Sequence, residues 1–129
     1  MLKTSDLIIT DLDYGRLRAL GEQTLLAEEL DRATVIPRER VPDRVVTMHS
    51  RLIYLDENTG ERREVELVYP EEANMRAGKI SVLAPVGSAL LGLSVGESID
   101  WKFPSGEVRR LSVERILFQP QHDPVRADQ

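Results

Sequence analysis

The sequence predicts an α+β fold in which two short helices precede an antiparallel β-sheet crossed by one further short helix. Three observations carry that expectation. Apolar residues recur at helical spacing up to Ala33, and the period changes to two from Val45. The run Ile80–Ile99 then reads in order as strand, capped short helix, tight turn and new strand.

Thr10 followed by Asp13 has the spacing of a helix N-cap with an acid at the third position, which satisfies free N–H groups and suits the positive end of the helix dipole. A first helix is expected over Asp11–Glu22, with Tyr14, Leu17 and Leu20 on its apolar face. Gly21 weakens its last turn, and Thr24 caps a second helix through Leu25, Leu26, Leu30 and Ala33. With so short a loop between them, the helices are expected to fold back as an antiparallel hairpin over residues 1–36, its tip at Glu22, Gln23 and Thr24. A cap packed locally on the sheet is compatible with the same pattern.

Pro37 and Pro42 bracket a polar stretch, and because proline removes a donor and disfavours helix before it, residues 37–44 read as a linker. From Val45 a strand is expected through Tyr54, with Val45, Thr47, His49 and Arg51 facing one way and Val46, Met48, Ser50 and Leu52 the other. Asp56–Gly60 is a turn cluster, Glu64–Tyr69 the returning strand, and 70–78 a loop. Ile80, Val82 and Ala84 alternate as a strand with one buried face. Pro85 suits the first helical position, where its missing N–H could not be paired anyway. Ala89, Leu90 and Leu93 supply the apolar stripe, Gly92 stops the helix, and Gly96 opens a turn into Ser98–Phe103. Glu107–Phe118 pairs with that strand across Pro104-Ser-Gly106, which makes 45–120 the sheet domain. Beyond Pro120, residues 121–129 have little apolar content to repay ordering and read as a flexible tail.

The 129 residues make room for one domain of ordinary size and a small appendage. With no cysteine the chain has neither a disulfide framework nor a thiolate metal site, which fits a reducing cytoplasm. Lys3 and Asp6 interrupt the apolar runs near the start, so neither a signal peptide nor a membrane span is expected. Seventeen basic against 22 acidic residues leave a net charge of −5, which argues against strong direct binding of nucleic acid. The pairs Arg62-Arg63 and Arg109-Arg110 read as solvated neighbours of glutamate on exposed strands.

Candidate chemistry is sparse. Gly92-Leu-Ser-Val-Gly96 matches the pattern of a hydrolase nucleophile elbow, but an elbow needs strand before the serine and helix after it, and here the order is reversed. His49 and His122 have no second ligand at metal-site spacing, and no Gly-rich phosphate loop is present. The expectation is a protein without catalytic residues, metal or cofactor.

The segment Ile80–Ile99, together with Val45-Val-Thr-Met-His-Ser-Arg-Leu52 and Leu67-Val-Tyr-Pro70, closely resembles the bacterial Rnk family, named as regulators of nucleoside diphosphate kinase and related to the Gre transcript-cleavage factors. The resemblance runs from about Asp43 to Pro120 and continues more weakly through Asp11-Leu-Asp13 and Glu29-Leu-Asp-Arg-Ala33, which look like the family's two short helices. It implies a truncated coiled-coil hairpin joined to an FKBP-like sheet domain, and a protein that docks on RNA polymerase at the rim of the secondary channel. Gre factors deliver two carboxylates to the polymerase's catalytic Mg²⁺. Here Glu22, Glu28 and Glu29 lie near the expected tip, but a helix of about twelve residues spans only ~18 Å, too short for that reach.

The docking surface carried over from Gre falls on Leu83, Ala84 and Pro85, with Val86 and Ser88 beside them. Gre proteins usually place a polar or acidic residue and then serine at the first two positions, so this surface is more apolar. The expected function is that of a non-catalytic, monomeric, cytoplasmic competitor or modulator of Gre-type factors, with an indirect effect on nucleoside diphosphate kinase. An FKBP-like prolyl isomerase and a general protein-interaction domain are the alternatives. The isomerase reading sits badly with the few aromatic residues, of which Trp101, Phe103 and Phe118 are expected in the core.

Overall fold

The computed structural model describes residues 8–20, 30–31 and 33–120. The expected tip Glu22, Gln23 and Thr24, the acids Glu28 and Glu29, most of the second helix, His122 and the tail 121–129 lie outside the described residues.

The described chain is mixed α and β. Strand β1 (Ile8–Thr10) leads directly into helix α1 (Asp11–Arg18), and Thr10 is its N-cap, with Oγ1 accepting the Asp13 N–H at 3.2 Å. The helix is shorter than the expected Asp11–Glu22: the Leu20 N–H bonds back to the Leu17 carbonyl (3.1 Å), a three-residue step that tightens and closes the last turn. β1 pairs in parallel with β2 (Thr34–Ile36), Ile8 opposite Thr34 and Thr10 opposite Ile36. Neither strand was expected, because three-residue strands are too short to display a period. Within 37–44, Arg38–Arg40 forms a 3-10 turn and Val41 is buried, and the Gln119 side-chain amide donates to the carbonyls of Pro42 (2.9 Å) and Val45 (2.8 Å).

The main sheet contains β3 (Arg51–Asp56), β4 (Glu61–Val68), β5 (Lys79–Ser81), β6 (Ser98–Lys102) and β7 (Val108–Phe118), in the order β5-β4-β3-β7-β6. It is not wholly antiparallel, since β5 runs parallel to β4 with Leu67 opposite Ile80. The expected loop 70–78 makes this crossover. Two 3-10 turns, Pro70–Glu72 and Met75–Ala77, carry the chain back to the level of Glu66, the second capped by the Asn74 carboxamide and closed by Gly78 at φ 74°. Register shifts between β3 and β7 mark bulges that bend the sheet.

Val45–Ser50, expected as the start of a strand, is not one. Val45, Val46, Thr47 and Met48 are buried in succession, which a period of two cannot achieve. Val46 instead exchanges hydrogen bonds with Leu93 and Gly92, and the chain then turns at Thr47–Ser50, with His49 in the left-handed region at φ 64°. Alternation in that run was a coincidence of order, and β3 begins only at Arg51.

β5 likewise stops short of Ala84. The Ser81 hydroxyl and carbonyl each accept at 3.0 Å, from the N–H groups of Leu83 and Ala84, and so turn the chain into helix α2 (Pro85–Leu90). Gly92 and Gly96 adopt φ 82° and 90° as the turns there require. The core joins Leu52, Leu67, Val82, Leu90, Leu93, Trp101 and Leu111, from the sheet, α2 and the turns on either side of α2, to Ile9, Leu17 and Leu30 from the N-terminal segment. Leu17 alone, once buried, contributes about 2 kcal/mol to holding α1 in place. Phe103 packs at the edge of this core and Phe118 is half-buried.

Candidate docking site

The site is built by the approach of α2 to β5. Ala84 is extended (φ −68°, ψ 150°) and delivers Pro85 to the first helical position, where proline costs no hydrogen bond. Gly87 presses against the Ser81 carbonyl, and Ser88, fully buried, donates its hydroxyl to the Val82 carbonyl at 2.7 Å. These contacts bring Ala84, Pro85 and Val86 to the wall of a groove of about 550 Å³. Tyr54, Val65 and Ile80 from β3, β4 and β5 line its sheet side, and Met75 stands beside it at 78% exposure.

The polar residues of the groove are largely neutralised in pairs. Arg109 bridges the buried Asp56 carboxylate at 3.3 Å, and Arg63 pairs with Glu61 at 3.2 Å. Glu64 adds a further carboxylate to the lining. Burial pushes the Tyr54 phenol above its ordinary value, so at neutral pH it offers a neutral ring face. A surface that is apolar at its floor and acidic at its edge suits a partner segment that presents an aliphatic or aromatic side chain flanked by a basic one.

Of the residues expected at the docking surface, the fold brings Ala84, Pro85 and Val86 together and keeps two apart. Leu83 is half-buried against the core, and Ser88 faces inward, where it anchors the loop instead of meeting a partner. Replacing Ser88 with Ala leaves the Val82 carbonyl with no hydroxyl donor, and a loss of about 1–2 kcal/mol in urea denaturation is expected. Tyr54, Met75, Glu64 and Arg109 escaped the sequence reading because they come from four separate segments, and only the sheet order places them side by side.

The remaining candidates are structural. Ser94 leads into the turn before β6, where its N–H donates to Glu97 Oε1 at 2.7 Å. His49 Nε2 lies 2.9 Å from Glu72 Oε1. Among the described residues no group of three or more histidine, cysteine or acidic side chains is placed to hold a metal ion.

Residues 41–117 match the family described as transcription elongation factor, GreA/GreB, C-terminal. The chain is 42% identical over 124 residues to the "Regulator of nucleoside diphosphate kinase" of Escherichia coli strain K12, covering 89% of this chain and 91% of that protein. It is 39% identical over 80 residues to the transcription elongation factor GreA of Thermodesulfovibrio yellowstonii, 62% of this chain against 51% of that longer protein. Among solved structures, a prokaryotic transcription elongation factor GreA/GreB from Nitrosomonas europaea superposes with a TM-score of 0.71 at 39% identity, over 89% of this chain and all of that one. The groove and the α2 start fall inside the matched residues, and the likeness to the regulator extends through the N-terminal segment as well; the chain belongs to the family of regulators of nucleoside diphosphate kinase, which carries the GreA/GreB C-terminal domain.

Proposed function

We propose that the chain is a non-catalytic transcription regulator that binds RNA polymerase at the rim of the secondary channel and competes there with Gre-type elongation factors. One observation carries the reading: an apolar groove with an exposed methionine beside it, formed where Ala84, Pro85 and Val86 meet the sheet, inside the segment shared with GreA. An apolar concave surface of this size on a small protein is a recognition surface by default. The net charge of −5 favours a protein partner over nucleic acid.

In this reading a short helical hairpin lies within residues 1–36, closed at its base by β1 and β2, residues 37–44 with their 3-10 turn link it to the rest, and 45–120 form an FKBP-like domain that docks. The protein acts as a cytoplasmic monomer, and its effect on nucleoside diphosphate kinase follows indirectly from altered transcription. Purified core polymerase should retain the protein, and an excess of Gre factor should displace it. Retention that Gre factor leaves untouched overturns the competition.

A second expected result concerns reach. Helix α1 has eight residues and spans ~12 Å, so a hairpin built on it occludes the channel entrance but brings no carboxylate to the catalytic metal. Backtracked elongation complexes should therefore show no faster transcript cleavage when the protein is added, and Gre-stimulated cleavage should fall as its concentration rises. Replacing Glu22, Glu28 and Glu29 with Gln should leave that inhibition intact. Stimulation of cleavage that those substitutions abolish would overturn the competitor reading.

A further inference from the structure

Helix α1 carries Asp13 and Arg16 three residues apart, on one face, and both engage Tyr69 just beyond the end of β4. Asp13 is a carboxylate at 5% exposure. Its Oδ2 accepts the Met48 N–H at 3.2 Å and its Oδ1 the Tyr69 hydroxyl at 3.5 Å. The Arg16 guanidinium lies 3.9 Å from the centroid of the Tyr69 ring and 3.8 Å from Glu71 Oε1. The His49 ring stands edge-on to Tyr69 at 5.6 Å, and Glu72 Oε1 accepts the Tyr69 N–H at 3.4 Å.

Burial raises the Asp13 carboxyl above its ordinary value, while the Met48 N–H, Thr10, the charge of His49 and the Tyr69 hydroxyl pull it back. Burial and the neighbouring Asp13 push the Tyr69 phenol upward, so it stays a donor. For Glu72, burial opposes ionisation, but the His49 hydrogen bond and charge, the Tyr69 N–H and Arg16 outweigh it and hold the carboxyl below its ordinary value.

The N-terminal segment already has apolar anchors in Ile9, Leu17 and Leu30. Those contacts resist separation but tolerate rotation, because apolar burial has no direction. Hydrogen bonds do have one. A buried carboxylate here is a costly way to gain stability and an effective way to select a single arrangement.

We propose that Asp13 is a positioning residue that seats the N-terminal helical segment on the sheet domain at one fixed angle, with Arg16 as the second point of a clasp on Tyr69. The clasp itself is independent of any partner. Its consequence, that the angle decides whether the segment covers the channel entrance, rests on the polymerase reading.

The absence of cysteine makes the angle measurable. Ala19→Cys and Lys102→Cys, both at exposed positions, admit one spin label on each side of the joint, and pulsed dipolar spectroscopy then reports the distance distribution in the full chain. The parent should give one narrow peak. Asp13→Ala should lose it to a broad distribution, and Asp13→Asn, which keeps one acceptor oxygen, should restore part of it. Hydrogen exchange of the Met48, Ala19 and Leu20 amides should accelerate roughly ten- to a hundredfold in Asp13→Ala, with the amides of β3, β4 and β7 unchanged. A distribution that stays narrow, or exchange accelerated equally throughout the sheet, overturns the clasp. Competition against Gre-stimulated cleavage should weaken in Asp13→Ala while retention on polymerase persists; undiminished inhibition by a variant with a broadened distribution overturns the functional consequence. Failure of the parent chain to bind polymerase would sink the docking reading alone, since the distance and exchange measurements need no polymerase.

Discussion

Gly87→Ala should lower the stability of the protein by about 3 kcal/mol in urea denaturation, against the trend that alanine favours helices over glycine by about 1 kcal/mol. Gly87 lies in α2 with ordinary helical backbone, so propensity alone predicts a gain. Space decides otherwise. A Cβ at this position would meet the Ser81 carbonyl oxygen at 2.1 Å, the Ser81 carbonyl carbon at 3.0 Å and the Val82 Cα at 3.1 Å. All three atoms are backbone and cannot rotate away, so α2 must lift from β5. Lifting breaks the Ser88 to Val82 hydrogen bond and displaces Ala84, Pro85 and Val86 from the groove, so polymerase retention should fall in the same variant. Gly15→Ala is the control: it is also helical, in α1, with nothing within 4 Å of the added Cβ, and it should stabilise by up to about 1 kcal/mol. A Gly87→Ala protein as stable as the parent would show that α2 does not sit against β5 as described.

Pro85→Asp should reduce retention on core polymerase roughly a hundredfold, a cost of about 3 kcal/mol, while leaving the fold in place. Asp is a good residue for this site from the protein's own point of view. The first helical position requires no paired N–H, and a carboxylate there suits the helix dipole. The same carboxylate stands at the apolar wall of the groove, where the aliphatic or aromatic side chain of a docked partner would strip its water while the partner's basic group stays at the acidic edge. Circular dichroism and the urea midpoint establish that the variant is folded, and the retention assay then reads the interface. Full retention by a folded variant moves the interface away from this groove.

Local chemistry on the page of the sequence foretold the elements that depend on neighbours in the chain. The Thr10 cap, the Pro85 helix start, the glycine turns at 92 and 96, and the hairpin from β6 to β7 are each decided within a few residues, and each stands where it was expected. The Val45–Ser50 run failed because its alternation is satisfied equally by a buried turn, and only the contact with Gly92 and Leu93 chooses between them. Ser88 reads as a surface hydroxyl until the Val82 carbonyl is brought above it.

By itself, then, the sequence determined the mixed α and β class, the pairing of β3 with β4 and of β6 with β7, the helix that follows Pro85 and the family to which the chain belongs, because periodicity, caps, turns and wording are local properties of a chain. Only the tertiary structure decided that β5 runs parallel to β4, that Tyr54, Met75 and Arg109 share a groove with Pro85, and that Asp13 reaches across to Met48 and Tyr69. Asp13 and Tyr69 are 56 residues apart in sequence, and no pattern within either segment encodes the other. Pairing of that kind is set by the closure of the whole core, which a one-dimensional reading cannot carry out.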